Sequence, residues 1–195
     1  MRLKIVQAGE PVLRETGRPL TRQEILGDEI QRLILDMQET MRDAPGVGLA
    51  APQVGLSLQI AVIEDREEIL QDLPPEELVE KDRHPVPFHV IINPKIAFSE
   101  NDKISFYEGC LSVAGFSAVV PRARVVHVDY LDEQGEQRSV DATGWYARIL
   151  QHEIDHLNGA LYIDRMQSRT FTSAENWNRF WRGKPIDEAS STRLR

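Results

Sequence analysis

The sequence predicts an α+β fold in which antiparallel-rich sheets surround a central helix, with a further helix towards each end of the chain. Strand-like runs outnumber helical ones, and most of them are separated by short turns, as in hairpins. Three segments instead have the residue pattern of helices. With 195 residues, the chain is expected to form a single domain over 1–195.

The composition is that of a protein that folds in water. Acidic residues number 31 against 23 basic ones, and the net charge of −8 disfavours general binding to a nucleic-acid backbone. No apolar run is long enough for a membrane helix, and the first residues lack the apolar core of a signal peptide. The single cysteine suits a reducing compartment. We therefore expect no nucleic-acid or membrane partner. The composition favours a soluble protein of the cytoplasm.

The N-terminal helix is predicted between Thr21 and Pro45, after 20 residues that we expect to be extended. Thr21 and Glu24 have the spacing of a capping box, in which each side chain accepts a hydrogen bond from the other residue's backbone N–H. Apolar residues that recur at helical spacing follow this cap. They are Ile25, Ile30, Leu33, Ile34, Met37 and Met41.

Turn signals and strand-like runs alternate between the helices. Strands are predicted at 58–63, 89–92, 95–98, 103–107, 119–120, 125–130 and 137–140, with a hairpin turn at 132–135. Residues 64–83 differ in character, because they hold nine carboxylates and two prolines. We interpret them as a solvated acidic insertion with one short helix, not as a domain boundary.

The second helix is predicted at 144–158 and ends at Gly159, a residue suited to the conformation that follows a helix. It contains the sequence QHEIDHLNG. His152 and His156 are four residues apart, so one helical face presents both imidazoles to a single metal ion. Glu153 lies beside that face, where its carboxylate could take a proton from a metal-bound water.

A catalytic site of this kind needs a third protein ligand, and the sequence leaves two candidates. Cys110 follows a predicted strand in the segment YEGCLS, where a glycine-flanked bend can direct its sulfur at a metal. Glu175, downstream of His156, fits another metallopeptidase pattern. A metzincin is excluded, because Tyr162 stands where its third histidine would be. The other histidines have no motif around them and are expected on the surface or in strands. They are His84, His89 and His127.

The glycine-rich stretch GVGLAAPQ precedes the first predicted strand and has no phosphate-binding pattern. We interpret it as a rigid ledge whose backbone pairs with an extended peptide and whose Gln53 amide reaches a reacting carbonyl. A third helix is predicted at 173–181. Its aromatic residues are expected to pack on the body of the protein. They are Trp177, Phe180 and Trp181.

Three motifs of the chain, in this order, are similar to those of the peptide deformylase family. They are GVGLAAPQ at 46–53, EGCLS at 108–112 and HEIDH at 152–156. The resemblance covers roughly residues 3–170, which leaves a C-terminal helix and tail at 171–195. It implies a metallo-amidohydrolase that removes the N-formyl group from the N-terminal formylmethionine of newly synthesised proteins and releases formate.

The resemblance also implies roles for individual residues. Cys110, His152 and His156 would hold one divalent metal ion, which is Fe(II) in the cell, with Zn, Ni or Co as substitutes. Glu153 would act as general base toward the metal-bound water that attacks the formyl carbon.

The remaining implied roles concern the oxyanion, the substrate and the support of the site. Gln53 and the backbone N–H of Leu111 would stabilise the oxyanion. Glu108 and Arg122 would form a pair that braces the Cys110 bend. Positions that match the family's substrate-binding residues are Val47, Gly48, Phe106, Trp145 and Ile149. The implied partners are N-formylmethionyl nascent peptides, which places the protein near the ribosome. The stretches SVAGF and SRTFT resemble the mitochondrial and plant-organelle branch.

Two alternatives from other classes remain open. One is a zinc endopeptidase that uses His152, His156 and Glu175. The other is a metal-binding or peptide-binding module with a decayed catalytic site, against which the intact Glu153 argues.

Overall fold

The computed structural model describes residues 1–191 and confirms the α+β class. Residues 192–195 of the predicted tail lie outside the described residues. The strands are β1 (Gly48–Ala50), β2 (Ile60–Asp65), β3 (Val86–Phe98), β4 (Lys103–Cys110), β5 (Val113–Ala123), β6 (Val125–Leu131), β7 (Gln137–Thr143) and β8 (Thr172–Ser173). The α-helices are α1 (Arg22–Ile25), α2 (Asp28–Asp43), α3 (Glu67–Leu70), α4 (Pro75–Glu80), α5 (Gly144–Leu157), α6 (Ala174–Asn176) and α7 (Ile186–Ser191).

The strands form two antiparallel sheets. The larger sheet has the order β1-β2-β3-β6-β7, and the smaller one has the order β4-β5-β8. Helix α2 covers one face of the larger sheet and α5 covers the other, so β2 is buried along its whole length. Its side chains alternate between the two cores: Val62 packs with the α2 core, whereas Ala61 and Ile63 pack with the α5 core.

The predicted N-terminal helix is two helices, because the chain is extended at Gly27 between α1 and α2. Glycine is a poor helix former, and here its N–H closes the first helix onto the carbonyl of Glu24 at 3.0 Å. The capping box of Thr21 and Glu24 is confirmed. All six apolar residues of the predicted stripe are buried.

Two predictions about the strands were too fragmentary. The segments 89–92 and 95–98 belong to the single strand β3, in which Asn93 has a φ of 49° and shifts the register. The Asn93 amide bonds the backbone N–H and carbonyl of Leu20 at 2.9 and 2.8 Å, which stabilises this irregularity. Strand β5 is much longer than predicted, because small residues of low strand propensity extend it, and its residues 117–123 pair with β4 without interruption.

The acidic insertion holds two short helices, α3 and α4, where one was predicted. Both ends of the insertion are tied to the larger sheet. Arg83 donates to the two carboxylate oxygens of Asp65 at 2.7 and 2.9 Å, and this pair is almost completely shielded from water. Leu70, the last residue of α3, is buried.

The two ends of the chain differ partly from prediction. Residues 11–14 form a 3-10 helix within the segment expected to be extended. Near the other end, α6 continues as a π-helix over Trp177–Trp181. Trp177 packs edge-on against Tyr107 as predicted, but Phe180 is 45% exposed and instead contacts the guanidinium of Arg179. No helix among residues 1–191 has both the length and the apolar character needed to cross a bilayer.

The position of α5 depends on its contact with the larger sheet, and this contact can be tested at Leu150. Leu150 is fully buried, so replacement by alanine leaves a cavity. We expect Leu150→Ala to lower the free energy of unfolding by about 2–5 kcal/mol, measured by urea denaturation. The control is Leu35→Ala, a 58% exposed residue on α2, for which we expect a change within about 0.5 kcal/mol. Equal losses in the two variants would contradict the packing described here.

Candidate metal centre

Helix α5 holds the two histidines and the glutamate of the HEIDH motif on a buried element. Its last turn ends at Gly159, which has a φ of 74° and whose N–H bonds the carbonyl of His156 at 3.2 Å. A Cβ at Gly159 would lie 2.7 Å from the Arg14 carbonyl oxygen. The predicted glycine cap is therefore confirmed, and a close approach of the N-terminal segment adds a second reason for glycine.

Cys110 is brought to these histidines by the bulged end of β4. The register shifts between Gly109 and Cys110, and the chain turns back at once into β5. The sulfur of Cys110 lies 3.3 Å from Nε2 of His156, and the backbone N–H of Ser112 points at it from 3.4 Å. The turn that follows β4 therefore directs this sulfur at helix α5.

The three predicted ligands form one cluster. One donor atom from each of Cys110, His152 and His156 lies within 4.8 Å of the other two. One sulfur and two imidazole nitrogens suit a divalent transition metal and leave one position of a tetrahedral site open. Among residues 1–191, these three are the residues whose donor atoms lie close enough together to share a metal ion. Glu175 is exposed and does not belong to this cluster. The endopeptidase alternative therefore lacks its third ligand.

His152 is oriented by Glu108 of strand β4. Nδ1 of His152 lies 3.0 Å from Oε2 of Glu108, so Nε2 is the nitrogen left for a metal. Arg122 contacts the same carboxylate with two nitrogens at 3.0 and 2.9 Å. Burial acts to raise the pKa of Glu108. The charge of Arg122, with hydrogen bonds from Arg122 and His152, outweighs burial and holds this pKa far below its usual range. The carboxylate beneath His152 is therefore ionised.

A second arginine on Glu108 was not predicted. Arg148 donates to Oε1 of Glu108 at 2.5 Å and to the carbonyls of Val120 and Ile104 at 2.9 and 2.6 Å. An arginine on a helix usually points to solvent, so the sequence does not predict that Arg148 is buried. The available signal was its position four residues before His152, on the same face of α5.

Glu153 lies buried beside the cluster. It is 4% exposed, and its Oε2 has no hydrogen-bond partner in the described part of the chain. Burial raises the pKa of Glu153 to about 7. Its carboxyl group can therefore hold or release a proton near neutral pH, as a general acid–base group must.

Gly48 makes room for this carboxylate. A Cβ at Gly48 would lie 2.2 Å from Oε1 of Glu153, so any larger residue here would displace this carboxylate. The sequence suggested a different reason for Gly48, namely pairing with a peptide backbone. The close approach is a requirement that only the tertiary structure reveals.

The Gln53 amide is fixed in orientation. Its Oε1 accepts from the N–H of Ala50 at 2.9 Å, and its Nε2 lies 3.3 Å from Oγ of Ser112 and 3.5 Å from Sγ of Cys110. Leu111, on the turn after β4, is held by Gln7, whose Nε2 donates to its carbonyl at 2.9 Å. Gln7 lies outside the three motifs and was not predicted. Both predicted oxyanion groups therefore lie next to the cysteine.

A cleft of about 600 Å³ opens onto this centre. Of the predicted substrate-binding residues, Val47, Gly48, Trp145 and Ile149 line it. Phe106 instead lies behind the wall, with its ring centroid 6.2 Å from that of Trp145. Wall residues that were not predicted include Lys81, Tyr107, Arg148, Trp177 and Asn178.

The three remaining histidines lie away from the cleft, as expected. His84 is exposed and pairs with Asp82 at 3.0 Å. His89 lies on β3, and its Nε2 is 3.0 Å from the hydroxyl of Tyr146. His127 lies on β6 at the surface.

These features define a class of protein: an α+β protein in which an H-E-x-x-H helix and a cysteine from a strand form a metal-binding centre at the base of a cleft. The family model described as Polypeptide deformylase matches residues 2–172. The chain therefore belongs to the polypeptide deformylase family, whose members depend on a metal.

Individual relatives support this assignment. The chain is 51% identical to Peptide deformylase 1A, chloroplastic, of Solanum lycopersicum over 88% of its own length, and spans 62% of that relative. It is 44% identical to Peptide deformylase 1 of Bifidobacterium longum over 98% of its length, and spans 85% of that protein. A Met-Ala-Ser-bound structure of a peptide deformylase from Acinetobacter baumannii matches with a TM-score of 0.75 at 34% identity. This match covers 85% of this chain and 99% of that one.

The support that Glu108 gives to His152 can be tested by Glu108→Gln. Outer partners of ligating histidines commonly contribute 10–100-fold in affinity, so we expect metal affinity to fall by about that factor in a chelator competition. The variant also leaves two buried guanidiniums without their carboxylate, so the free energy of unfolding should fall by about 3–5 kcal/mol. The control is Glu136→Gln, whose pair with Arg22 is exposed and should contribute less than about 1 kcal/mol. A Glu108→Gln variant that behaves like this control would contradict the assigned role.

The close approach of Gly48 and Glu153 predicts a specific coupling. Gly48→Ala should lower the free energy of unfolding by about 1–3 kcal/mol, because the new methyl group overlaps the carboxylate. In a Glu153→Ala background that space is empty, so the same substitution should cost far less. Chemical denaturation of the two single variants and the double variant measures the difference. An identical cost in both backgrounds would show that the two residues are not in contact.

Proposed function

We propose that this protein is a metal-dependent peptide deformylase. It would remove the N-formyl group from the N-terminal formylmethionine of newly synthesised proteins and release formate. One observation carries the proposal: Cys110, His152 and His156 converge beside the buried Glu153 in a chain of the deformylase family.

Cys110, His152 and His156 would hold the metal, for which we propose Fe(II) in the cell, with Zn, Ni or Co as substitutes. A divalent ion at this position supplies Lewis acidity, which activates water and polarises a carbonyl. The cysteine sulfur among the donors supports a borderline-soft ion over Mg²⁺ or Ca²⁺.

Glu153 would carry the proton through the reaction. Water attacks the formyl carbon, and Glu153 accepts the proton that this water loses. The carbon–nitrogen bond then breaks, and Glu153 returns the proton to the departing amine, which leaves formate and a free N-terminal methionine. A carboxyl group with a pKa of about 7 suits both halves of this transfer at neutral pH.

Gln53 and Leu111 would stabilise the negative charge that develops on the formyl oxygen. We assign this role to Nε2 of Gln53 and to the backbone N–H of Leu111. The bond from Ala50 to Oε1 of Gln53 turns the donor end of the amide towards Cys110, which supports the assignment. Donors held in place before the reaction need no rearrangement as the charge forms.

The cleft would bind the peptide, and its walls would select the first side chain. We assign the methionine pocket to Val47, Phe106, Trp145 and Ile149, with Phe106 acting through Trp145 from behind the wall. Gly48 would pair with the peptide backbone. The Met-Ala-Ser complex of the Acinetobacter relative supports a peptide as the ligand. Glu108 and Arg122 would hold the metal ligands in place.

The setting of the protein is also a proposal. We propose one domain over 1–195, with nascent chains near the ribosome as substrates and the bacterial cytoplasm as the location. Homologues include bacterial, chloroplast and mitochondrial forms, so the organelle matrix is the alternative location.

The test is formate release from formyl-Met-Ala-Ser by anaerobically purified protein, with the acetyl analogue measured in parallel. We expect rapid release of formate and little reaction of the acetyl peptide. Glu153→Gln should retain the metal and lose activity by about 10²–10⁴-fold, because it removes proton transfer without removing a ligand. Glu175→Ala is the control and should keep both metal and activity. Metal-loaded protein that releases no formate would refute the proposal and favour a binding module. Loss of metal from the control would favour the endopeptidase.

A further inference from the structure

The acidic insertion contributes one residue to the wall of the cleft, and this residue is a cation. Lys81 follows helix α4, and its side chain is only 17% exposed. Its Nζ lies 4.6 Å from the ring centroid of Trp145 and 6.0 Å from that of Phe106. Both aromatic residues belong to the proposed methionine pocket, whereas Lys81 belongs to none of the three motifs.

The Lys81 side chain is held in this position from within the insertion. Its Nζ donates to Oε1 of Glu77, one helical turn earlier, at 2.5 Å. The ammonium group of Lys81 is therefore held both by the Glu77 carboxylate and over the ring of Trp145. A cation in this position over an indole is attracted by the negative face of the ring.

The insertion is also fixed to the helix that carries the metal ligands. The carbonyl of Asp82 accepts from the N–H of Trp145 at 3.3 Å, and its carboxylate accepts from the hydroxyl of Thr143 at 2.9 Å. Gly144 allows this contact, since a Cβ there would lie 2.3 Å from the Asp82 carbonyl oxygen. The residue after Lys81 therefore caps the first turn of α5, so Lys81 and Trp145 keep a fixed relative position.

Two further cations complete the surroundings of the Trp145 ring. The guanidinium carbon of Arg83 lies 5.2 Å from its centroid, and that of Arg148 lies 5.8 Å away. Arg83 is anchored to Asp65 at the base of the insertion. The indole is thus oriented both by its own helix and by the insertion.

We propose that Lys81 is a specificity-determining residue of the proposed deformylase site. The Lys81 side chain and the indole of Trp145 together form the wall that limits the size of the first substrate side chain. A slender, unbranched side chain such as that of methionine fits beside this wall, whereas a bulky aromatic side chain meets the lysine. This inference rests on the proposed function and assigns a role to the acidic insertion.

The experiment compares kcat/KM for formyl-Phe-Ala-Ser and formyl-Met-Ala-Ser in the metal-loaded full-length chain. In Lys81→Ala the wall is shortened, so kcat/KM for the phenylalanine peptide, divided by kcat/KM for the methionine peptide, should rise by roughly tenfold or more. A change of about one methylene in a pocket has an effect of this size. Lys81→Asn also shortens the side chain and should give the same rise, which guards against a folding defect in one variant. Lys81→Met keeps the length without the charge and should leave the ratio within roughly twofold of the original.

The matched control is Lys184→Ala, in which a similar contact is removed outside the cleft. Nζ of Lys184 lies 5.6 Å from the ring of Trp181, and neither residue lines the cleft. The control should keep the original ratio. An unchanged ratio in both Lys81→Ala and Lys81→Asn would overturn the inference. An equal rise of the ratio in Lys81→Met would also overturn it, because the charge of Lys81 and not its length would then determine the preference for methionine over phenylalanine. Failure of the unmodified protein to deformylate either peptide would instead refute the proposed function, and this inference with it.

Discussion

The buried carboxylate of Glu108 is the interaction on which the rest of the site depends. It lies on β4, beneath His152, and an ionised group in such a place is unfavourable unless it is fully paired. Arg122 on β5 and Arg148 on α5 provide that pairing, together with His152. The charge of Glu108 thus connects the two strands of the β4–β5 hairpin with helix α5.

The same network extends to the end of the helix. Arg122 also contacts Asp155, which accepts two bonds of 2.7 Å from Arg165. Asp155 is the fourth residue of HEIDH, and its contacts differ from those of the other polar residues of the motif. In the proposed function the two histidines bind the metal and Glu153 moves a proton, whereas Asp155 secures the helix to the smaller sheet through Arg122. Separating these charges would leave one of them buried and unpaired, which opposes any rearrangement of the site.

Features set by local spacing could be predicted from the sequence, and features set by distant contacts could not. The relation of His152 to His156 follows from helical geometry alone. The third ligand was left open by spacing, and only the resemblance to a family favoured Cys110 over Glu175. Arg148 and Lys81 were missed because charged side chains are usually solvated, and nothing local distinguishes a buried one.

The fold shows the same division between local and distant causes. The capping box of α1 and the apolar stripe of α2 were correct, since each is a pattern within a few residues. The continuity of β3 through Asn93 was not predicted, because contacts with a distant segment decide it. The break at Gly27 was also missed, although its cause is local: glycine is a poor helix former. Asn93 ends a strand in the sequence pattern, but its bonds to Leu20 replace the lost ladder contacts.

The N-terminal segment gives the site a particular order of assembly. The backbone N–H of Val6 donates to the carbonyl of Gln53 at 2.9 Å, and that of Ala8 donates to the carbonyl of Ser112 at 2.7 Å. Between them, the Gln7 side chain donates to the carbonyl of Leu111, which is 104 residues away in sequence. The first ten residues therefore join the loops of two motifs that lie far apart in sequence. Contacts of such separation carry an entropic cost, because a long loop must close before they stabilise anything. During synthesis this segment precedes both loops along the chain, so its bonds to them can form only after the cysteine loop has been made.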